Sequence, residues 1–174
     1  MLKAIDVNCE TVEMMIFFWE SVVAREKVAD SYMIELANRK EMTPLYGEDF
    51  SEDSVRKVLS AMVNRELLNG ATKKESRFWS NNMWMTEDLD FMREMVAPVK
   101  TVNFDFLKEE FAGETKFEQI EVRFIPGHIE SFYEKDNVLT VNFFSLRSDF
   151  SGGFNIEDKP FKEAVAEKIR ILSS

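Results

Sequence analysis

The chain has one cysteine and one histidine among its 174 residues. Cys9 alone excludes an internal disulfide and a thiolate metal cage. His128 alone excludes a site built on two or three histidines. Hydrophobic runs are short: the apolar stretch near the N-terminus, Met14–Trp19, follows Asp6, Glu10 and Glu13. It is too brief and too acidic for a signal peptide, and far below the roughly 20 residues of a membrane span. The expectation is a cytosolic protein with no membrane partner. Positive charge is also scarce: 22 basic residues face 32 acidic ones, for a net charge of -10 and a pI near 4.8. Such a surface repels phosphate backbones, so net charge alone cannot bind nucleic acid. Gly152-Gly153 lacks the Lys-Ser/Thr of a phosphate loop.

What is present divides the chain. All ten methionines and all three tryptophans lie at or before Met95, whereas most phenylalanines lie after Ala97. Apolar spacing changes there too, from threes and fours to alternation. Pro98 marks the change-over and discourages helix continuation. These features predict two packing units, residues 1–97 and 98–174. Apolar residues make up 45% of the chain, enough for a buried core.

In the first unit, Val12, Met15, Ile16, Trp19, Val22 and Val23 form a helical stripe, and Val28, Tyr32 and Leu36 a second one. Pro44 and Gly47 interrupt. Ser51 or Asp53 caps a third helix through Val55, Val58, Leu59 and Met62, which Asn69-Gly70 ends. In "ATKKESRFWSNNMWMT", Asn81-Asn82 reads as a hairpin turn between two short strands. Thr86 then caps a helix carrying Leu89, Met92 and Val96.

That order, with "RELLNG" before the hairpin and "MWMTEDLDFMREMV" after it, resembles the winged helix-turn-helix domains of bacterial regulators over residues 10–97. One departure is the ten residues Glu41–Phe50, long for the tight turn of that motif. The resemblance implies that Ser51–Leu67 enters a major groove with Arg56, Lys57, Ser60 and Asn64 outward. The hairpin wing would add Lys73, Lys74 and Arg77. Residues 51–80 hold six basic and four acidic side chains, a locally positive window in an acidic chain. The plain alternative is a solvated helix face with ordinary charge pairs. Winged helices also bind proteins. Trp79 and Trp84 could stack on a base or ligand, or fill a core between wing and body.

The second unit reads as an antiparallel four-stranded meander with a C-terminal helix. Val102, Phe104 and Phe106 alternate, as do Ile120, Val122 and Phe124. Pro126-Gly127 fits a type II turn leading to a strand over His128–Tyr133. "EKDN" turns into Val138–Phe144, and Pro160 opens a helix with Phe161, Val165, Ile169 and Leu172 inward.

His128 precedes Glu130 by two residues, as in zinc deaminases, but the paired cysteines of that signature are missing. No Gly-x-Ser-x-Gly elbow exists. A turn-flanking structural histidine is therefore expected. Glu48, Asp49, Glu52 and Asp53 lack calcium-loop spacing and suit a helix start instead. Cys9 stands near a helix start, and a structural role is expected for it. The sequence thus predicts an α+β protein, a non-enzymatic regulator or binding protein with no metal and no cofactor. Its partner is duplex DNA or, alternatively, another protein, and paired helices would suit a homodimer.

Overall fold

A computed structural model describes all 174 residues, and the chain is an α+β protein. The first element is a strand the periodicity did not announce, β1 (Ala4–Asn8). Helix α1 (Glu10–Val23) follows and buries Val12, Met15, Phe18, Trp19 and Val22, while Val23 stays exposed. Helix α2 (Asp30–Ala37) and a 3-10 turn (Lys40–Leu45) complete the first quarter. Arg39 donates to the nearly buried Glu41 carboxylate and to Thr11 Oγ1, which ties that turn to α1.

Helix α3 (Glu52–Asn64) starts as expected at Ser51. The Ser51 and Ser54 side chains reciprocally bond each other's backbone N–H. It ends earlier than expected, at Arg65, whose left-handed φ of 55° closes the helix before Asn69-Gly70.

The next segment overturns the hairpin. Residues Lys73–Glu87 form helix α4, so no wing follows α3. Thr72 Oγ1 accepts from the Glu75 N–H at 3.1 Å, and a Glu75 carboxylate oxygen accepts from the Thr72 N–H at 3.0 Å. This Thr-x-x-Glu box satisfies two end donors at once, a helix-start signal that outweighs the turn propensity of Asn81-Asn82. Both asparagines lie mid-helix. Asp88 then caps α5 (Leu89–Thr101), its carboxylate accepting from the Phe91 N–H, so the helix expected from Thr86 begins slightly later. Pro98 sits inside α5 rather than at a boundary.

The meander is also corrected. Residues 102–106 form no strand but lead into the short helix α6 (Leu107–Glu110). Phe104 is fully buried while Phe106 is exposed, so strand-like alternation does not hold there. The place beside β2 (Gln119–Ile125) is taken by β1, in parallel. Strand β3 (Phe132–Lys135) pairs antiparallel with β4 (Val138–Asn142), and β4 runs parallel to β2, giving the order β1-β2-β4-β3. A parallel neighbour demands a long crossover, here supplied by the helices between β1 and β2. Burial of β4 extends over successive residues Leu139 to Asn142, as for a strand covered on both faces.

Strands β5 (Arg147–Ser148), β6 (Phe154–Ile156) and β7 (Lys159–Pro160) form a small second sheet. Helix α7 (Phe161–Ser173) buries Val165, Ile169 and Leu172 as expected. Arg170 on α7 bonds both oxygens of Glu110, fastening α6. One cluster of 42 buried apolar residues runs from Leu2 to Leu172. The boundary expected between 97 and 98 lies within α5, and strands from both sides of it share one sheet. No helix is long and apolar enough to cross a membrane.

Candidate functional site

The residues expected to contact nucleic acid fall into separate settings. Arg56, Lys57, Ser60 and Asn64 do lie along the outer part of α3. Arg56 pairs with Asp53 at 3.6 Å, Lys57 with Glu75 at 3.1 Å, and Lys74 with Asp49 at 3.0 Å. Asn64 donates to Ser60 Oγ at 3.2 Å. Burial pushes the Glu75 carboxyl up, but bonds from Ser54, the Thr72 N–H and Lys57 outweigh it and hold it below the usual range. Lys74 likewise lowers Asp49. Lys73 and Arg77 alone among these cations have no carboxylate partner. They stand on α4, not on a wing, so the expected patch is dispersed and partly neutralised.

His128 is 3% exposed, in the connection between β2 and β3 rather than at the start of a strand. Its Nδ1 accepts from the Ile129 N–H at 2.8 Å, so Nε2 carries the proton and donates to the Leu45 carbonyl at 3.1 Å. The ring meets Phe50 edge-on at 4.8 Å. Burial pushes its pKa below the ordinary histidine value, against the opposing pull of the Leu45 carbonyl. Both nitrogens are engaged, and the side chain locks a loop.

The same loop is held by two amides. Asn142 is 1% exposed and makes four bonds. Its Oδ1 accepts from the Gly127 and Phe144 N–H groups, both at 3.0 Å. Its Nδ2 donates to the Glu130 and His128 carbonyls at 3.1 and 3.4 Å. Asn81 Nδ2, on α4, reaches the Gly127 and His128 carbonyls at 3.2 Å. Gly127 has no positive φ, so the type II turn is not formed. Glycine is required there because a Cβ would lie 2.5 Å from Asn142 Cγ.

A groove of about 940 Å³ opens between α4, α5 and the segment from Phe144 to Phe150. Its floor contains the buried side chains of Met85, Met95, Phe144 and Leu146. Trp84, 56% exposed, and Phe150, 97% exposed, stand at the rim. Trp84 therefore fills no core, while Trp79 is half-buried. Phe150 holds a φ of 66°, a left-handed value that a bulky residue rarely adopts. Asp149 fixes this bend by accepting from the Ser151 and Gly153 N–H groups at 2.8 and 3.0 Å. A Cβ on Gly153 would meet Asp149 Oδ2 at 2.6 Å.

Arg77 and Arg147 also line the groove, and neither pairs with a carboxylate. Arg77 makes no internal hydrogen bond, whereas Arg147 donates to the Phe144 and Leu146 carbonyls. Arg77 and Trp84 stand out in the sequence, whereas Arg147 and Phe150 do not. The only available signal was a phenylalanine isolated in the polar stretch "SDFSGG". No three His, Cys, Asp or Glu side chains converge to hold a metal ion. Cys9, before α1, has its thiol pushed up by burial and by Glu13. Comparison with known proteins finds no family model, no curated protein and no solved structure that matches the chain.

Proposed function

We propose that this is a non-enzymatic binding or regulatory protein that takes a protein partner in the groove beside α4. The reading rests on one observation: Trp84 and Phe150 stay exposed at the rim of an apolar depression that also holds two arginines without carboxylate partners. Tryptophan, phenylalanine, methionine and arginine are the residue types enriched in protein interfaces, and Trp and Arg carry much of their energy. A contiguous apolar patch rimmed by polar groups is unusual on a surface that binds nothing. His128, neutral and bonded at both nitrogens, is assigned no catalysis. A cytosolic setting suits a chain whose single thiol has no partner within it.

The test is photo-crosslinking from a benzoylphenylalanine placed at Ser80, on the groove wall. A discrete adduct with one identified protein is expected, with the purified complex weakened by Trp84→Ala. An adduct unaffected by Trp84→Ala would refute the reading. Duplex DNA is the second reading, supported by the unpaired Lys73 and Arg77 one turn apart on α4. It requires a gel shift that weakens with salt and with Lys73→Ala and Arg77→Ala.

A further inference from the structure

Granted that the groove takes a protein, we infer that its occupant is an acidic amphipathic segment of the partner, with carboxylates beside bulky apolar side chains. Charge argues first. Arg77 stands on α4 and Arg147 on β5, and the only carboxylate lining the groove is Asp88, which is occupied in capping α5. The groove is thus locally positive in a chain of net charge -10. The net charge of the chain favours a basic segment elsewhere on the surface, whereas these two unpaired arginines favour an acidic one here.

The lining argues next. Met85 and Met95 give an apolar floor that can reshape around different side chains. The two cations come from separate elements bordering that floor. An occupant that satisfies both must carry negative charge next to its apolar stripe, the pattern of a helix laid in a groove. The opening, about 940 Å³, stands at the upper limit for small-molecule sites and is flanked by exposed aromatics.

The experiment selects random peptides of about fourteen residues on the full chain by display. Selected peptides should place Asp or Glu beside Leu, Ile, Phe or Trp. They should shield Trp84 from acrylamide, read as the difference between wild type and Trp84→Phe. Arg77→Glu should weaken them about tenfold or more, and it leaves the fold intact because Arg77 makes no internal bond. A double Arg77→Glu, Arg147→Glu variant with an unchanged circular dichroism spectrum should select Lys- or Arg-bearing peptides instead. Peptides without carboxylates, or acidic ones indifferent to Arg77→Glu, overturn the inference. So does a selection that yields none, and shielding of Trp84 by decanoate then assigns the groove to a small amphiphile. Shielding that grows with the chain's own concentration assigns it to a second copy and overturns it as well. If the Ser80 crosslink succeeds but the peptides lack carboxylates, protein binding stands and only the acidic occupant falls.

Discussion

Asn142→Ala should be among the most damaging single changes in this chain, and its cost follows from its bonds. Removing the amide leaves the Gly127 and Phe144 N–H groups and the Glu130 carbonyl without partners; the His128 carbonyl keeps Asn81. At roughly 1–3 kcal/mol for each orphaned buried group, with some relaxation, the loss should be about 4 kcal/mol. Gly127→Ala should cost about 2 kcal/mol in the wild type, because its Cβ must push against Asn142 Cγ at 2.5 Å. In the Asn142→Ala background that obstruction is gone. The double variant should therefore be nearly as stable as Asn142→Ala alone, a coupling of about 2 kcal/mol. Urea unfolding followed by tryptophan fluorescence measures all four proteins, with unchanged slopes confirming a common unfolding process. Asn142→Ala within about 1 kcal/mol of wild type, or strict additivity with Gly127→Ala, would refute the reasoning.

Three further outcomes are expected. His128 is held neutral with a lowered pKa, so the unfolded chain takes up its proton first, near the ordinary value of 6.5. Stability should then fall as pH drops through that value and level off below the folded pKa, at about 1.4 kcal/mol per unit of lowering. His128→Gln should flatten the urea midpoint across that window, and an unchanged slope in the variant would remove the assignment. Thr72→Ala should destabilise by about 1 kcal/mol through loss of the α4 cap, measured the same way; no change would put the helix start elsewhere. Asp136 turns the β3–β4 hairpin at φ 54°, so Asp136→Gly should stabilise by about 0.5 kcal/mol. A loss would mean that the aspartate side chain matters more than its backbone.

The elements legible in the sequence were those whose information is local. α1 shows a helical period, and α3, β2, β4 and α7 each show a period with a helix-start or turn residue beside it. Strand β1 has no such mark: "AIDVN" enters α1 without a turn, and its partner Gln119–Arg123 lies more than a hundred residues away. Parallel pairing leaves no signature in either segment alone, so Val102, Phe104 and Phe106 took its place in the reading. α4 was misread for a different reason. Asn81-Asn82 and the aromatics around them look like a hairpin, whereas the Thr72-x-x-Glu75 box, visible in the same stretch, marks a helix. The groove was half legible: Arg77 and Trp84 were singled out for chemistry that needs exposure, but Arg147 and Phe150 belong to it only through the fold.

One buried amide determines where the groove faces. Asn82 is fully buried, accepts from Trp19 Nε1 at 2.9 Å and donates to the Phe78 carbonyl at 2.9 Å. Turning α4 by one residue would put Met83 against the indole and strand its N–H, a penalty of about 1–3 kcal/mol. The helix is therefore fixed in rotation. At about 100° per residue, Trp84 stands roughly 200° from Asn82, and Arg77 roughly 220°. Both point away from the core, seven residues apart on one stripe. The buried asparagine and the exposed tryptophan are two consequences of one helical setting. A core substitution at Asn82 that lets α4 rotate should impair the groove without touching it.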